Sequence, residues 1–338
     1  LLLIARAPVR ISLGGGGTDL PAYYTQFGGA VLNTAINRYI YTVISQSAGS
    51  ALQITSSDFR VFYRHQSDTE LSSDGELGLA KAILREFGDY DGLDIFLSSQ
   101  VPPGTGLGSS GAVAVSMVTA LAAWQGRSMT KAEIAEMACE IGINKLHLPS
   151  GKQDEYGSAI GGLNQIVFTK DSTTISPVPL TPQTLATLQR RLMLFFTGKS
   201  RDSGNILKKQ STASQEQDPA TLERMHRIKA LGQEMLEVLQ RQDLDAFGDL
   251  LHQSWLQKRG VVRDISNNLI DQAYESARNN GALGGKINGA GGGGFLMIYC
   301  HEDKQNAVTS ALHTLGLSRM DFSFDFEGTQ VLLSRKQP

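Results

Sequence analysis

Hydrophobic positions in this chain follow two periods, and clusters of glycine separate the runs. Residues 2–13 are mostly apolar and predict a strand that runs into the glycines at 14–17. Residues 21–27, with Tyr23 and Tyr24, predict a short helical turn. Residues 30–45 and 52–63 alternate or are β-branched and predict two further strands. Residues 77–87 place Leu79, Ile83 and Phe87 on one helical face, and 92–99 predict a strand. The stretch 101–124, VPPGTGLGSSGAVAVSMVTALAAW, opens with a proline pair and a loop holding Gly104, Gly106, Gly108 and Gly111. It continues as small apolar residues with no polar face, which predicts a helix buried on all sides. A second helix is expected over 130–143, opened by a capping box of Thr130 and Glu133. The polar residues 149–157 open a third helix that ends near Gly161 and Gly162, and 163–169 return as a strand.

The Ser-, Thr- and Pro-rich residues 171–182 mark a boundary, which gives domains 1–175 and 183–338. Beyond it the pattern predicts a strand at 191–196, helices at 220–240, 244–259 and 267–279, and a strand at 295–299. A helix at 305–315 and strands at 319–326 and 329–333 follow, so the second half is an α+β sandwich. Trp255 reads as core.

Composition narrows the class. The chain has 338 residues, enough for two domains with a sizeable core. It is 41% hydrophobic and 19% charged, as a soluble globular protein is. A net charge of −2 gives no pull towards nucleic acid or an anionic membrane. Cys139 and Cys300 form no C-x-x-C pair, so neither a disulfide framework nor a zinc ribbon is expected, and a reducing, cytoplasmic compartment fits. The six histidines show no metal-ligand spacing. No apolar run reaches the ~20 residues needed to span a bilayer. The apolar start is interrupted by Arg6, Pro8 and Arg10 and reads as a strand, not a signal peptide. Glycine is in excess, 36 residues, clustered near 14, 106 and 291. Three such clusters suggest three backbone turns meeting one ligand.

A buried helix that emerges from a Gly/Ser loop is an anion site, because free N–H groups and the helix dipole point the same way. Ser109 and Ser110 are the candidate caps. Gly106, Gly108 and Gly111 match G-x-G-x-x-G. However, Pro102 and Pro103 displace the strand a dinucleotide fold requires, and Glu133, at the right distance for its acidic residue, falls in a helix. No lysine follows to make a P-loop.

The run from Pro102 or Pro103 through Gly106-Leu107-Gly108-Ser109-Ser110 to Ala112 resembles the central motif of the GHMP kinases. Residues 7–13 with Gly16-Gly17-Thr18-Asp19 are similar to the first motif of that superfamily, and residues 286–295 to its third. Within it, GGGGTDL at 14–20, GKQDEY at 151–156 and HQSWLQKR at 252–259 resemble the sugar 1-kinases that act on D-glycero-D-manno-heptose 7-phosphate. Fucokinases share part of this pattern.

The resemblance implies a fold, a reaction and a site. The fold is a two-domain GHMP kinase, with an N-terminal domain like domain 2 of ribosomal protein S5 and a ferredoxin-like C-terminal α/β sandwich. The reaction is Mg²⁺-dependent phosphoryl transfer from ATP to the anomeric C1 hydroxyl of a sugar phosphate. Its product would be heptose 1,7-bisphosphate, a precursor of GDP-heptose and of capsule, lipopolysaccharide or S-layer polysaccharide. ATP would lie on Pro103, Gly104, Thr105, Gly106, Leu107, Gly108, Ser109 and Ser110. Ser110 would hold Mg²⁺, with Ser109 as cap. Many relatives add a carboxylate where this chain has Gly142, so either Glu140 or water completes the shell.

Asp154 is the expected base, and Arg10 would stabilise the transferring phosphoryl or hold Asp154 ionised. The competing reading of Asp154 is a carboxylate favoured by a helix dipole. Gly16, Gly17, Thr18, Asp19, Lys152 and Gln153 would bind the sugar, and Gly291 and Gly292 would close over it. Lys199, Arg201, Lys258 and Arg259 are candidates for the substrate's own phosphate. The expected partners are ATP and a sugar phosphate, with no nucleic acid or membrane, and a homodimer is compatible. Two other classes compete. A catalytically silent sugar sensor is opposed by the intact Asp154, Ser110 and Arg10, and a diphosphomevalonate decarboxylase by the sugar-facing GGGGTDL and GKQDEY.

Overall fold

The fold grows from one long hairpin. The computed structural model describes residues 2–47, 49–66, 71–75, 77–198 and 203–335. The first part of the chain runs β1 (Leu2–Gly14), α1 (Pro21–Phe27), β2 (Gly29–Gln46), β3 (Leu52–Ser56), β4 (Val61–His65), α2 (Gly78–Phe87) and β5 (Leu93–Ser99). It continues through α3 (Ser109–Trp124), α4 (Lys131–Cys139), a π-helical turn (Glu140–Lys145), α5 (Gln153–Ile160), β6 (Leu163–Phe168) and β7 (Thr173–Pro177). β2 is the spine of an eight-stranded sheet of order β12-β1-β2-β5-β3-β4, with β12 at Gln330–Arg335. β1 pairs along most of β2, while β5 and β6 share the other edge of β2 end to end.

The all-apolar run behaves as expected. In α3 eleven of sixteen residues are buried, and the helix packs on β1, β2, α2, α4 and α5. Its polar exceptions are satisfied, since Ser116 bonds Thr42 at 2.6 Å and Thr119 donates to the Val115 carbonyl at 2.7 Å. The Thr130–Glu133 capping box is present at the start of α4.

The second part runs α6 (Pro182–Arg191), β8 (Leu192–Phe196), α7 (Ser203–Gln215), α8 (Pro219–Gln240), α9 (Leu244–Lys258), α10 (Asn268–Asn279), β9 (Ala282–Ile287), β10 (Phe295–Cys300), α11 (Gln305–Thr314) and β11 (Ser318–Met320). Its antiparallel sheet has the order β11-β8-β10-β9. Numbered by themselves the strands read 4-1-3-2, the order of the ferredoxin-like split β-α-β unit. α8 crosses onto the first sheet, where Leu231, Met235 and Leu239 join its core. Cys139 and Cys300 are free and buried. Among the described residues no helix is long and apolar enough to cross a membrane.

Several expectations need correction. The strand expected over 52–63 is two strands, β3 and β4, parted by a turn in which Arg60 has φ 53°. The boundary segment 171–182 contains β7, a Thr-rich edge strand with no apolar alternation, formed by pairing with β6. α7 and β9 were not expected at all: α7 is too polar to show a period, and β9 holds Gly284 and Gly285. Those glycines have a packing reason, because a Cβ on Gly284 would lie 2.2 Å from the Gly248 carbonyl oxygen of α9. The strand expected at 319–326 forms only at its start, as β11 over 318–320. The strand expected at 329–333 forms as β12 but pairs with β1, so the end of the segment 183–338 belongs to the first sheet.

Candidate active site

The three glycine-rich turns and the starts of α3 and α5 meet in one cleft of about 570 Å³. Gly104, Gly106 and Gly108 have φ +70°, +81° and +75°, which residues with a side chain rarely adopt. A Cβ on Gly106 would come within 2.4 Å of the Asn288 carbonyl oxygen, so the second and third turns touch through bare backbone. Gly108 is the N-cap of α3 in the left-handed conformation, and no side chain caps the helix. The expected serine cap is therefore replaced by glycine, and Ser109 and Ser110 are the first two helical residues. Both line the cleft with Pro103, Gly104, Gly106 and Gly108. Thr105 and Leu107 are buried instead and anchor the loop: Thr105 O accepts from Phe295 N, and Leu107 O from Arg10 N.

Arg10 crosses the cleft. Its Nε and Nη2 donate to Asp154 Oδ1 at 2.8 and 2.5 Å, and its Nη1 donates to the Gly106 carbonyl at 2.6 Å. Arg10 is 4% exposed at its side chain and Asp154 26%, so the pair is seated inside while the carboxylate still reaches the cleft. Asp154 sits in the first turn of α5, where a helix dipole favours it. Gly111 lets that turn approach α3, since a Cβ there would lie 2.7 Å from Asp154 Cβ. Asp19 is buried and accepts from Gly17 N, Gln153 Nε2 and Gln153 N. Burial first, and then the Asp154 charge, raise its carboxyl above the usual range.

Lys258, at the end of α9, lines the same cleft and donates to the Gly289 carbonyl at 2.5 Å. Burial, then Arg10, lower its ammonium to about 8. Three buried polar atoms in or beside the cleft have no partner among the described residues: Gln153 Oε1, Glu155 Oε2 and Asn288 Nδ2.

Other expected residues lie elsewhere. The Thr18 hydroxyl donates within the first turn to Gly15 O and accepts from Ala30 N, so it pins the loop. Lys152 pairs with Glu136 of α4 at 2.8 Å and does not line the cleft. Arg259 opens onto a separate groove of about 1030 Å³ with Arg224 and Arg263. Gly291 and Gly292 pack under Ile265, and Gly289 and Ala290 reach the cleft in their place. Glu140 is exposed and bonds Asn144, because it points off the outer face of the π-helical turn while Gly142 lines the cleft. Lys199 and Arg201 lie outside the described residues.

Glu155 and Lys286 are functional candidates that sequence reasoning missed. Glu155 lines the cleft, and burial, then Asp154, raise its carboxyl to about 8. Lys286 opens the third glycine motif, which was its only visible signal.

The remainder of the cleft is an apolar wall that includes Ile40, Phe59, Leu77, Leu79 and Leu97. The arrangement thus offers a flat apolar end, a backbone cradle for anions, and a carboxylate paired to a guanidinium beside it.

Comparison with known proteins shows the family. Residues 77–162 match the GHMP kinases N terminal domain, and residues 235–316 match the GHMP kinases C terminal domain. The chain is 31% identical over 331 residues to the D-glycero-alpha-D-manno-heptose 7-phosphate kinase of Campylobacter jejuni, covering 96% of this chain and 97% of that protein. The chain belongs to the GHMP kinases. As a GHMP kinase it is a phosphotransferase with an alcohol group as acceptor. The solved D-glycero-D-manno-heptose 1-phosphate kinase from Bacteroides thetaiotaomicron is 27% identical, with TM-score 0.81 over 99% of this chain and 100% of that one. Galactokinase of Lactococcus lactis, solved with galactose, shares the GHMP kinase fold at TM-score 0.78 and 16% identity, over 98% of this chain and 94% of that one.

Proposed function

We propose that this GHMP kinase transfers the terminal phosphoryl of ATP to the anomeric C1 hydroxyl of D-glycero-D-manno-heptose 7-phosphate, giving the 1,7-bisphosphate. The product would serve cytoplasmic synthesis of GDP-heptose for a surface polysaccharide. The observation that carries the reading is the link from Arg10 to both Asp154 and the Gly106 carbonyl, which fixes a carboxylate beside a phosphate cradle. The heptose relatives support the choice of sugar.

The apolar wall would take the nucleobase, and the backbone N–H groups from Gly104 to Ser110, with the dipole of α3, would take the phosphates. Asp154 Oδ1 is held by Arg10, whereas Oδ2 has no hydrogen bond among the described residues and would accept the proton of the attacking hydroxyl. An anomeric hydroxyl is more acidic than an ordinary alcohol, which eases that step. Arg10 would spread the charge of the transferring phosphoryl. Asp19 and Gln153 would orient the sugar, and the free Gln153 Oε1 is an acceptor for one of its hydroxyls.

Magnesium fits in part. Among the described residues no group of three or more His, Cys, Asp or Glu side chains could hold an ion. Ser110 offers a hydroxyl in the cleft that would hold the ion, and with Glu140 turned outward, waters would take the place of a second protein ligand. Bound Mg²⁺ would neutralise phosphate charge.

The test is ADP release with heptose 7-phosphate, fucose, galactose and mevalonate, with the phosphorylated position read by ³¹P NMR. Turnover of heptose 7-phosphate at C1 is expected. Preference for fucose or galactose would move the chain to another sugar 1-kinase, and turnover of mevalonate alone would overturn the sugar reading. No turnover of any of them would favour a sugar-sensing role.

A further inference from the structure

Two ammonium groups at the polar end of the cleft lack the counter-charge that buried charges need. Lys258 is 8% exposed and, among the described residues, bonds the neutral Gly289 carbonyl. Lys286, on β9, is 2% exposed, and among the described residues its side chain makes a long donation of 3.4 Å to Ser12 Oγ. Neither lysine has a carboxylate at ion-pair distance among the described residues. Ser12 and Gly16 line the cleft beside Lys286, and a Cβ on Gly16 would lie 3.9 Å from Lys286 Nζ. One ammonium therefore opens into the cleft and the other backs it through a hydroxyl.

The surrounding charges leave this pair short of negative charge. Arg10 faces both lysines from β1, but its own charge is matched by Asp154. Among the described residues Asp19 is the carboxylate that favours the charged form of both, and it is itself buried. Burial first disfavours the charged form of both lysines, and then Arg10 acts on Lys258, and Lys258 with Arg10 on Lys286. An apolar side chain would fill either position at less cost, so the retained amines point to an anion that arrives with the ligand. A phosphate monoester dianion has the charge and acceptor oxygens to meet them.

We propose that Lys258 and Lys286 form one binding site for a phosphate dianion, and that the lysine pair takes up a proton from solvent when the dianion binds. Lys258 is the contacting residue, and Lys286 is the positioning residue behind it, held towards the neutral amine first by burial and then by Lys258. The dianion is either the terminal phosphate of the nucleotide or the phosphate carried by the acceptor. In that respect the site rests on the kinase reading above, though the lysine geometry does not.

The experiment is isothermal titration calorimetry at pH about 8.5 in two buffers of different ionisation enthalpy, which counts protons taken up on binding. The probes are inorganic phosphate, ADP against its non-hydrolysable triphosphate analogue AMPPNP, and the heptose against its 7-phosphate. Uptake approaching one proton is expected with inorganic phosphate and with the member of one pair that carries the extra phosphate. That pair identifies the source. Lys258→Met should abolish the uptake and weaken that ligand about 10- to 100-fold. Lys258→Arg should keep binding and lose the uptake, because arginine stays charged. Lys286→Met should confine the uptake to the pH range near 8 and above in which Lys258 titrates, because the more deeply lowered Lys286 then adds nothing below it, an effect that a purely structural lysine would not produce.

Glu155 titrates in the same range, so Glu155→Gln must leave the uptake intact. Binding without proton uptake, or uptake that survives Lys258→Arg, overturns the site while leaving the kinase reading standing. Uptake with AMPPNP or inorganic phosphate while neither sugar binds sustains the site and removes the heptose reading.

Discussion

The two ends of the cleft, one proposed above for the phosphoryl donor and the other for the acceptor, are built in opposite ways. The donor end is backbone and apolar side chain: three glycines at positive φ, a helix that starts on Gly108, and a wall that includes Ile40, Leu79 and Leu97. The acceptor end is buried charge and amide: Arg10, Asp19, Gln153, Asp154, Glu155 and Lys258 converge from β1, the first glycine turn, α5 and α9. Backbone can bind any triphosphate tail, so the donor end suits a ligand common to a whole family. Side chains drawn from separate elements can be exchanged one at a time, so the acceptor end is where members of one fold can differ.

The largest effect that tests this contrast is expected at the acceptor end. Asp154→Asn should lower kcat by about 10²- to 10⁴-fold. Nucleotide affinity, followed by calorimetry, should stay nearly unchanged, and an unchanged kcat would remove Asp154 as the base.

Next comes the cradle. Gly106→Ala meets the Asn288 carbonyl and a φ of +81°. It should cost roughly 1–3 kcal/mol of stability in denaturant unfolding. It should also weaken ATP more than the sugar, because the second and third turns must separate. Leu79→Ala on the apolar wall should weaken ATP binding about tenfold. The acceptor KM should not follow, and equal losses for both ligands would erase the distinction between the two ends.

A smaller, pH-dependent effect sits at Glu155. Its carboxyl rises from 4.5 in the unfolded chain to about 8 in the fold, so the native state holds a proton that the unfolded state releases. Wild-type stability from this group is therefore full below about pH 4.5 and falls as pH rises towards 8. Glu155→Gln should raise Tm at pH 8 and leave it unchanged near pH 4; a pH-independent difference would refute the buried-acid assignment.

The smallest change is expected at Lys152, whose ammonium turns to Glu136. Lys152→Ala should leave the acceptor KM within about twofold, as loss of a partly exposed ion pair does. A large rise would put it back at the sugar.

Legibility in the sequence follows the same divide. The second glycine turn and the buried α3 could be read directly, because both depend on local residue type: glycine for φ and close approach, an unbroken apolar run for burial. Arg10 and Asp154 were visible only as members of motifs 144 residues apart, and their bond needed β1 and α5 to pack. Thr18 and Lys152 misled because proximity in sequence to Asp19 and Asp154 says nothing of direction. Thr18 faces back into its own turn, and Lys152 is the N-cap just before α5, with its ammonium turned to Glu136. Serine capping at α3 was likewise a local rule overridden by a glycine in the left-handed conformation.

The sequence by itself determined the periodic elements, the glycine turns that must bend, and the chemistry available at each turn, since these rest on residue type and near neighbours. Only the tertiary structure decided which strand the end of the chain would join, that Glu140 would face outward, and that Lys258 and Lys286 would share one buried place. Those outcomes depend on packing and on charges brought together from distant segments, where neither local propensity nor motif spacing carries information.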